Sequence, residues 1–474
     1  MIPRTPLLLA GVLCAAALAS LATGAPVSKS LNAHKSQKSA ARDFYWYYYP
    51  IDSTGIPQDA DGMTTGAAKL RYDSKGVPKV AYGRGQDVYY AELDGNAWKW
   101  QVADTAFKYE AKLTMDLDSE GNPHIVHEDF RYNVIHYAGY DGKAWKHKVL
   151  DTIHDETFGN FYALSLKVDG KKNLHLFYPR MNTAADGHSG ATYGRFGTDL
   201  GLVRRDSLCS CGSSGKWAGL ALDSKENPVM AFFTNTIEKA QVAYLNGDAK
   251  FMVDTLKTAD AAGPNGQYAS IAIDSKDSLF ITHHTRKPDV DSWLLMTAGK
   301  AGGPYKTDTV AKLGGNPLWI STSPIALGKS ATPYIAYLAS KQDGQYRVSE
   351  GKLRLAWKTD AGWNTETIDS SSAITGLFPD IAINKDGLPS VVFYNYSKKQ
   401  LWLAVARPDE PKDANSNGIL DYQETPIVTV GLAKNMLKKG KSATKRGASL
   451  FDASGRKVKD VAAVKRLPTV AYPN

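Results

Sequence analysis

The sequence predicts an all-β fold, a seven-bladed β-propeller with a small C-terminal β-sandwich-like tail, and three observations support it. The first is a phrase that recurs along most of the chain: an apolar strand, Asp-Ser-x-Gly-x-Pro or a decayed form of it, then a strand ending in an aromatic residue or histidine. It reads LRYDSKGVPKVAY up to Tyr82, LDSEGNPHIVH up to His127, VDGKKNLHLFY up to Tyr178, ALDSKENPVMAF up to Phe232, AIDSKDSLFITH up to His283 and AINKDGLPSVVF up to Phe393. The second is spacing. The anchors Asp73, Asp118, Asp169, Asp223, Asp274 and Asn384 lie 45, 51, 54, 51 and 110 residues apart, and a weaker copy, IALGKSATPYIAY up to Tyr337, fills the double gap. Seven similar units in a row mean a repeat architecture. The third is an end effect: the seventh copy stops near Arg407 without its outer strand, and a matching strand, Phe44 to Asp52, opens the ring.

Within a copy, apolar residues alternate with period two and turn residues punctuate them, the pattern of strands rather than helices. The second copy shows four runs, LTMDLD, HIVHE, VIHYAGYDG and AWKHKVLD. The Ser-x-Gly-x-Pro segment is a tight hairpin, because Gly accepts positive φ and Pro cannot donate to a central ladder. Four antiparallel strands per unit, seven times over, make a propeller. Pairing Phe44–Asp52 with the last unit ties the chain ends together and covers an exposed edge.

Ahead of the ring, residues 1–25 read as a secretory signal peptide: Arg4, an apolar run from Leu7 to Leu21, and small residues at Ala17-Leu-Ala19 and Ala22-Thr-Gly24 for cleavage. Cys14 follows Leu13, where a lipoprotein anchor requires a small residue. Residues 26–42 form a flexible segment, and the ring spans 43–409. No later stretch is long and apolar enough to span a bilayer, so the expected location is secreted, extracellular or at the cell surface. The net charge of +9 does not point to nucleic acid: residues 426–474 hold eleven Lys/Arg against two Asp/Glu, the whole excess. A basic tail on an exported chain fits export machinery or an acidic surface better.

Cys209 and Cys211, in Cys-Ser-Cys-Gly, are expected to be oxidised and to staple a loop as a disulfide, with a redox or metal role as the alternative. The linker at 410–425 contains Asp413-Ala-Asn-Ser-Asn-Gly-Ile-Leu-Asp-Tyr-Gln-Glu424. Oxygen ligands fall at loop positions 1, 3, 5, 9 and 12 (Asp413, Asn415, Asn417, Asp421 and Glu424), Ile419 offers its carbonyl at position 7, and Gly418 sits at position 6. That spacing is the calcium loop of an EF-hand. Flanking prolines remove the paired helices, so the loop resembles the calcium linkers of dockerin-like and thrombospondin-type-3-like proteins, which implies a structural calcium ion.

In the basic domain at 426–474, Ala448-Ser-Leu-Phe-Asp-Ala-Ser-Gly-Arg-Lys-Val458 is similar to the core of type IX-like C-terminal sorting domains. The ring itself resembles secreted bacterial propellers built from Asp-Ser-x-Gly-x-Pro repeats. Such a fold hosts unrelated activities, so function must be read from a site.

Loops that follow the second strand of each blade converge on one face. The repeated aromatic position there is Tyr82, His127, Tyr178, Phe232, His283, Tyr337 and Phe393, with Arg84, Arg131, Arg180, His284 and Arg286 just beyond it. The candidate ligand-binding set is therefore Arg84, His127, Arg131, Tyr178, Arg180, His283, His284 and Arg286. Guanidinium groups pair bidentately with carboxylate or sulfate, so the expected role is a non-enzymatic binding module for an acidic glycan or another envelope or matrix component. The alternative is a polysaccharide-degrading enzyme, lyase before hydrolase, with Arg neutralising a uronate and His or Tyr moving the proton. Structurally, each histidine also reads as a packed stand-in for tyrosine, and each arginine as a partner for a nearby aspartate.

Overall fold

The computed structural model describes residues 43–423 except 54–67, 85–86, 96, 106–112, 130–133, 153–163, 181–189, 210–215, 235–236, 247–249, 257–264, 286–291, 315–321, 343–347, 415 and 417–419. The expected signal peptide, the segment 26–42 and the sorting-like domain lie outside these residues. Strand β1 (Tyr45–Asp52) opens the described chain. Blade 1 is β2 (Ala68–Tyr72), β3 (Pro78–Arg84), β4 (Asp87–Asp94) and β5 (Ala97–Asp104); blade 2 is β6 (Leu113–Leu117), β7 (Pro123–Asp129), β8 (Val134–Tyr140) and β9 (Trp145–Thr152). Blade 3 is β10 (Ser165–Val168), β11 (Leu174–Arg180), β12 (Gly190–Phe196) and β13 (Leu202–Cys209); blade 4 is β14 (Lys216–Leu222), β15 (Pro228–Thr234), β16 (Lys239–Asn246) and β17 (Lys250–Thr255). Blade 5 is β18 (Asn265–Ile273), β19 (Leu279–Thr285), β20 (Ser292–Gly299) and β21 (Tyr305–Gly314); blade 6 is β22 (Ile325–Leu327), β23 (Pro333–Gln342), β24 (Val348–Thr359) and β25 (Gly362–Asp369). Blade 7 is β26 (Thr375–Ile383), β27 (Pro389–Asn395), β28 (Gln400–Arg407) and, as its outer strand, β1. The seven-bladed ring is thus the one the repeat predicts.

The recurring anchor builds the inner hairpin of six blades in one way. Asp73 Oδ1 accepts the N–H groups of Lys75 and Val77 at 3.0 and 2.9 Å, and Asp118, Asp169, Asp223, Asp274 and Asn384 repeat the pattern. The side chain acts as a surrogate turn, which is why a short acid or amide recurs there. Blade 6 has Gly328 instead; it keeps only the backbone bond to Thr332. A Cβ at Gly328 would lie 2.6 Å from the Tyr334 ring, so the worn copy is worn for steric reasons.

The fourth turn residue has positive φ in all seven copies: Gly76, Gly121, Lys172, Glu226, Asp277, Ala331 and Gly387. A side chain there is strained, yet three of the four non-glycine residues reach the preceding blade's turn. Lys172 pairs with Asp118 and Glu120, Glu226 Oε1 accepts the Gly170 N–H at 2.6 Å, and Asp277 accepts the Ser224 N–H at 2.7 Å.

The core sits between blades rather than in the centre of the ring. Seven clusters of buried apolar residues correspond to the seven seams, as with Tyr47, Tyr49 and Ile51 of β1 against Leu70, Val80 and Tyr82 of blade 1. Innermost strands are stitched by charge: Asp380 Oδ2 accepts Leu70 N–H and Arg71 Nη1 at 2.9 and 3.0 Å, and Arg71 Nε reaches Asp116 Oδ1 at 3.2 Å.

Closure follows the expected strand swap, with β1 antiparallel to β28 from Tyr45↔Arg407 to Asp52↔Leu401. Pro50 is tolerated because β1 is an edge strand. The linker covers that edge: the Tyr48 N–H donates to the Tyr422 hydroxyl at 3.0 Å, and the Tyr422 ring lies 4.6 Å from Tyr47 and 5.2 Å from Tyr49. Among the described residues no helix is long and apolar enough to cross a membrane.

Candidate functional site

Strand register defines one equivalent seat near the end of each outer strand, two residues past the last regularly paired position, occupied by Asp52, Asp104, Asp151, Cys209, Ala311 and Asp369. In blade 4 the same count from Thr255 reaches Lys257, outside the described residues. Where the seat is an aspartate, its carboxylate meets the second strand of the next blade. Tyr82 donates its hydroxyl to Asp52 at 2.9 Å, and Arg84 Nη1 lies 3.3 Å from the same oxygen. Tyr178 donates to Asp151 at 2.7 Å, with Arg180 Nε at 3.1 Å and Arg205 Nη2 at 2.9 Å from that carboxylate. Burial, with the aspartate second, raises both phenols above the ordinary tyrosine range. At the seam between blades 6 and 7, Asn395 Nδ2 donates to Asp369 Oδ2 at 3.2 Å.

Four polar seats are therefore consecutive, spanning the seams from blade 6 through blades 7, 1 and 2 to blade 3. The seam between blades 3 and 4 puts Phe232 where Tyr178 stands. At the seam between blades 4 and 5 the seat falls on Lys257, outside the described residues, and His283 bonds to Thr297 Oγ1 at 2.9 Å within its own blade. His284 meets Ser323 Oγ at 2.7 Å. Burial holds His283 down at about 4 and His284 at about 3, the latter helped by His283, so both are neutral near pH 7.

Blade 2 departs from its neighbours. His127 Nε2 lies 3.0 Å from Asp104 Oδ2, and His147 Nδ1 of β9 lies 3.3 Å from the same oxygen. His127 faces His136 across the β7–β8 ladder, with rings 5.2 Å apart and 8° from parallel.

Of the predicted set, Arg84, His127, Tyr178 and Arg180 belong to these consecutive seams, whereas His283 and His284 belong to a buried cluster on blade 5. Arg131 and Arg286 lie outside the described residues, as do Cys211 and the Cys209 side chain; the backbone of Cys209 ends β13 in the seat that blades 1 and 2 fill with aspartate. Arg84 remains the most solvent-accessible of the described predicted cations, its side chain 36% exposed and its guanidinium carbon 5.2 Å from the Tyr89 ring centre.

Sequence reasoning missed the seat aspartates, although the recurrent apolar-Asp-Ser/Thr ending at Asp52, Asp104, Asp151 and Asp369 signals them. It also missed His136, His147 and Arg205, which no motif marks. In the linker, Asp421 Oδ1 accepts the Ala414 N–H at 2.9 Å, which brings loop position 9 back beside Asp413. Asn415, Asn417, Ile419 and Glu424 lie outside the described residues.

No family model matches the chain, and no curated protein does. Among solved structures it is similar to the BP39L lectin from Burkholderia pseudomallei, at 11% identity and a TM-score of 0.46, over 70% of this chain and 95% of that one. The SapL1 lectin in complex with alpha methyl fucoside matches at 12% identity and 0.43, over 64% and 95%. A PL25 ulvan lyase matches at 14% identity and 0.40, over 73% of this chain and 80% of that one. The likeness is one of fold.

Proposed function

We propose that this chain is an exported binding module that holds an acidic glycan across the polar seams between blades 6 and 3. The observation that carries the reading is the Tyr–Asp–Arg arrangement at Asp52 and Asp151. Each arginine is fixed by its aspartate, so a guanidinium such as that of Arg84 is oriented before a ligand arrives and loses little freedom on binding. A carboxylate or sulfate ester then takes the remaining N–H donors. His283 and His284, neutral and fully buried, support that face by packing. Lectin neighbours of the same fold, one of them solved with a fucoside, accord with sugar binding.

Export rests on the signal-like residues 1–25 and on the resemblance of 426–474 to sorting domains. The loop from Asp413 to Glu424, with Asn415, Asn417, Ile419 and Asp421, would hold a structural calcium ion. That ion stiffens the junction whose Tyr422 covers the closing strand.

A second reading, elimination on a uronate polymer, is favoured by His147, 47% exposed beside Asp104. In that chemistry an imidazole removes the proton α to the carboxylate while an arginine neutralises the developing charge. One experiment separates the two: an acidic-glycan array read for retention, with the same glycans followed by ultraviolet absorbance for unsaturated uronate. Retention without absorbance, weakened by Arg84→Ala, supports the binding module. Growing absorbance abolished by His147→Ala replaces it with the lyase, and indifference to every acidic glycan removes both.

A further inference from the structure

We infer that the seam between blades 1 and 2 is a transition-metal site of the zinc class, with Asp104, His127, His136 and His147 as its ligands. One donor atom from each of Asp104, His127 and His136 lies within 4.8 Å of the others, and His147 Nδ1 is 3.3 Å from Asp104 Oδ2. Around a tetrahedral zinc with ligands at about 2.0–2.2 Å, neighbouring donor atoms stand roughly 3.3–3.5 Å apart. Asp104, His127 and His136 form the set within mutual reach, and the half-exposed His147, already beside Asp104, would complete it by rotating toward them. Three imidazoles and one carboxylate suit zinc, with copper and nickel as chemical competitors.

Comparison within the repeat shows why these four form more than a hydrogen-bonded latch. Register makes Tyr82, Tyr89 and Trp100 of blade 1 and Tyr178, Thr192 and Arg205 of blade 3 the equivalents of His127, His136 and His147. The position two residues past the aromatic, Arg84 in blade 1 and Arg180 in blade 3, is Asp129 in blade 2. Around an aspartate of the same seat, blades 1 and 3 present phenols and guanidinium groups, which deliver protons or positive charge. Blade 2 presents three rings that each carry a nitrogen lone pair. A bound dication restores the positive charge that Arg84, Arg180 and Arg205 supply elsewhere. The arrangement also has an entry path, since His147 is half exposed while His127 and Asp104 are buried. A metal bound by four protein groups is structural and stitches blade 1 to blade 2. It would occupy the lone pairs that the elimination reading needs.

The test uses the full chain without a polyhistidine tag, stripped with chelator and titrated with zinc chloride in excess calcium. One zinc per chain is expected, and cobalt should give visible d–d bands of tetrahedral intensity. His147→Arg and His136→Tyr install the residues of blades 3 and 1, so the seam keeps an arrangement the fold already uses. Each should weaken zinc binding by more than about tenfold while leaving the chelator-treated melt unchanged. No zinc retained by the wild type, or zinc retained equally by both variants, overturns the assignment. The latter outcome would place the metal at Cys209 and Cys211 or in the 413–424 loop.

Discussion

Replacing Asp151 by asparagine removes the carboxylate that Tyr178, Arg180 and Arg205 share between blades 2 and 3. In the native seam that group has Tyr178 Oη at 2.7 Å, Arg180 Nε at 3.1 Å and Arg205 Nη2 at 2.9 Å, and the three charged side chains are 9%, 6% and 15% exposed. The amide keeps the shape and one acceptor but leaves two guanidinium groups adjacent and largely buried. Breaking such a pair by removing one partner costs about 3–5 kcal/mol, and the retained acceptor places Asp151→Asn near the lower end. Tyr178→Phe, which copies Phe232 of blade 4, removes the hydrogen bond donated to Asp151 and the long one accepted from Arg205 Nε at 3.4 Å, and costs about 1.5–3 kcal/mol. Because both changes act on one network, the double variant should lose less than the sum. Urea unfolding of the full chain, followed by tryptophan fluorescence and circular dichroism, reads all three. A loss below about 1 kcal/mol for Asp151→Asn would show that water already solvates the seam, and the latch argument would fall with it.

Ala331→Gly should stabilise the ring by about 0.5–1 kcal/mol, because φ is +58° at Ala331 and its methyl makes no bond to a neighbouring turn, unlike Lys172, Glu226 and Asp277; an unchanged or lower urea midpoint would refute it. His283 and His284 sit at about 4 and about 3 against an ordinary 6.5, so between about pH 6.5 and 4 the unfolded chain binds protons that the folded one does not. Their contribution is whole above 6.5 and falls with pH through that window, by up to about 1.4 kcal/mol per unit for each. His283→Phe, the residue of blades 4 and 7, should flatten the slope, while Thr297 keeps its bond to Thr307 at 2.8 Å; an identical slope would exclude His283 as its source. Chelating calcium should lower the thermal stability of the linker, and Tyr422→Ala, which uncovers β1, should cost about 2 kcal/mol. A melt indifferent to calcium would remove the ion from the 413–424 loop.

The ring was legible because six of the seven units write the same turn: an aspartate or asparagine at a fixed place accepts two N–H groups, and alternation marks the strands on either side. Closure was legible for a related reason, since Ile51-Asp52-Ser53 repeats the ending of the other outer strands. The site was less so. Asp104 bonds to His127 from 23 residues away, across a blade boundary, and His136 and His147 reach the same carboxylate region only through the β7–β8–β9 register. No local spacing encodes that meeting. Arg205 is hidden likewise, because the seat it serves is contributed by Asp151 of the preceding blade.

The distribution of seats argues for where function lies. The seat of blade 4 falls on Lys257, outside the described residues, while the seams at Cys209 and Ala311 accompany Phe232 and Tyr337. Such seams need only pack, and they do so without the cost of dehydrating charge. A ring could be closed by seven of them. Blades 6, 7, 1, 2 and 3 instead place four buried or half-buried aspartates in succession, each matched by a different set: asparagine, tyrosine with arginine, two histidines, tyrosine with two arginines. Stability alone does not favour that arrangement, since buried ion pairs at best offset their own desolvation. Among the described seats that variety lies on one arc of one face, which is where the binding and metal proposals place their residues.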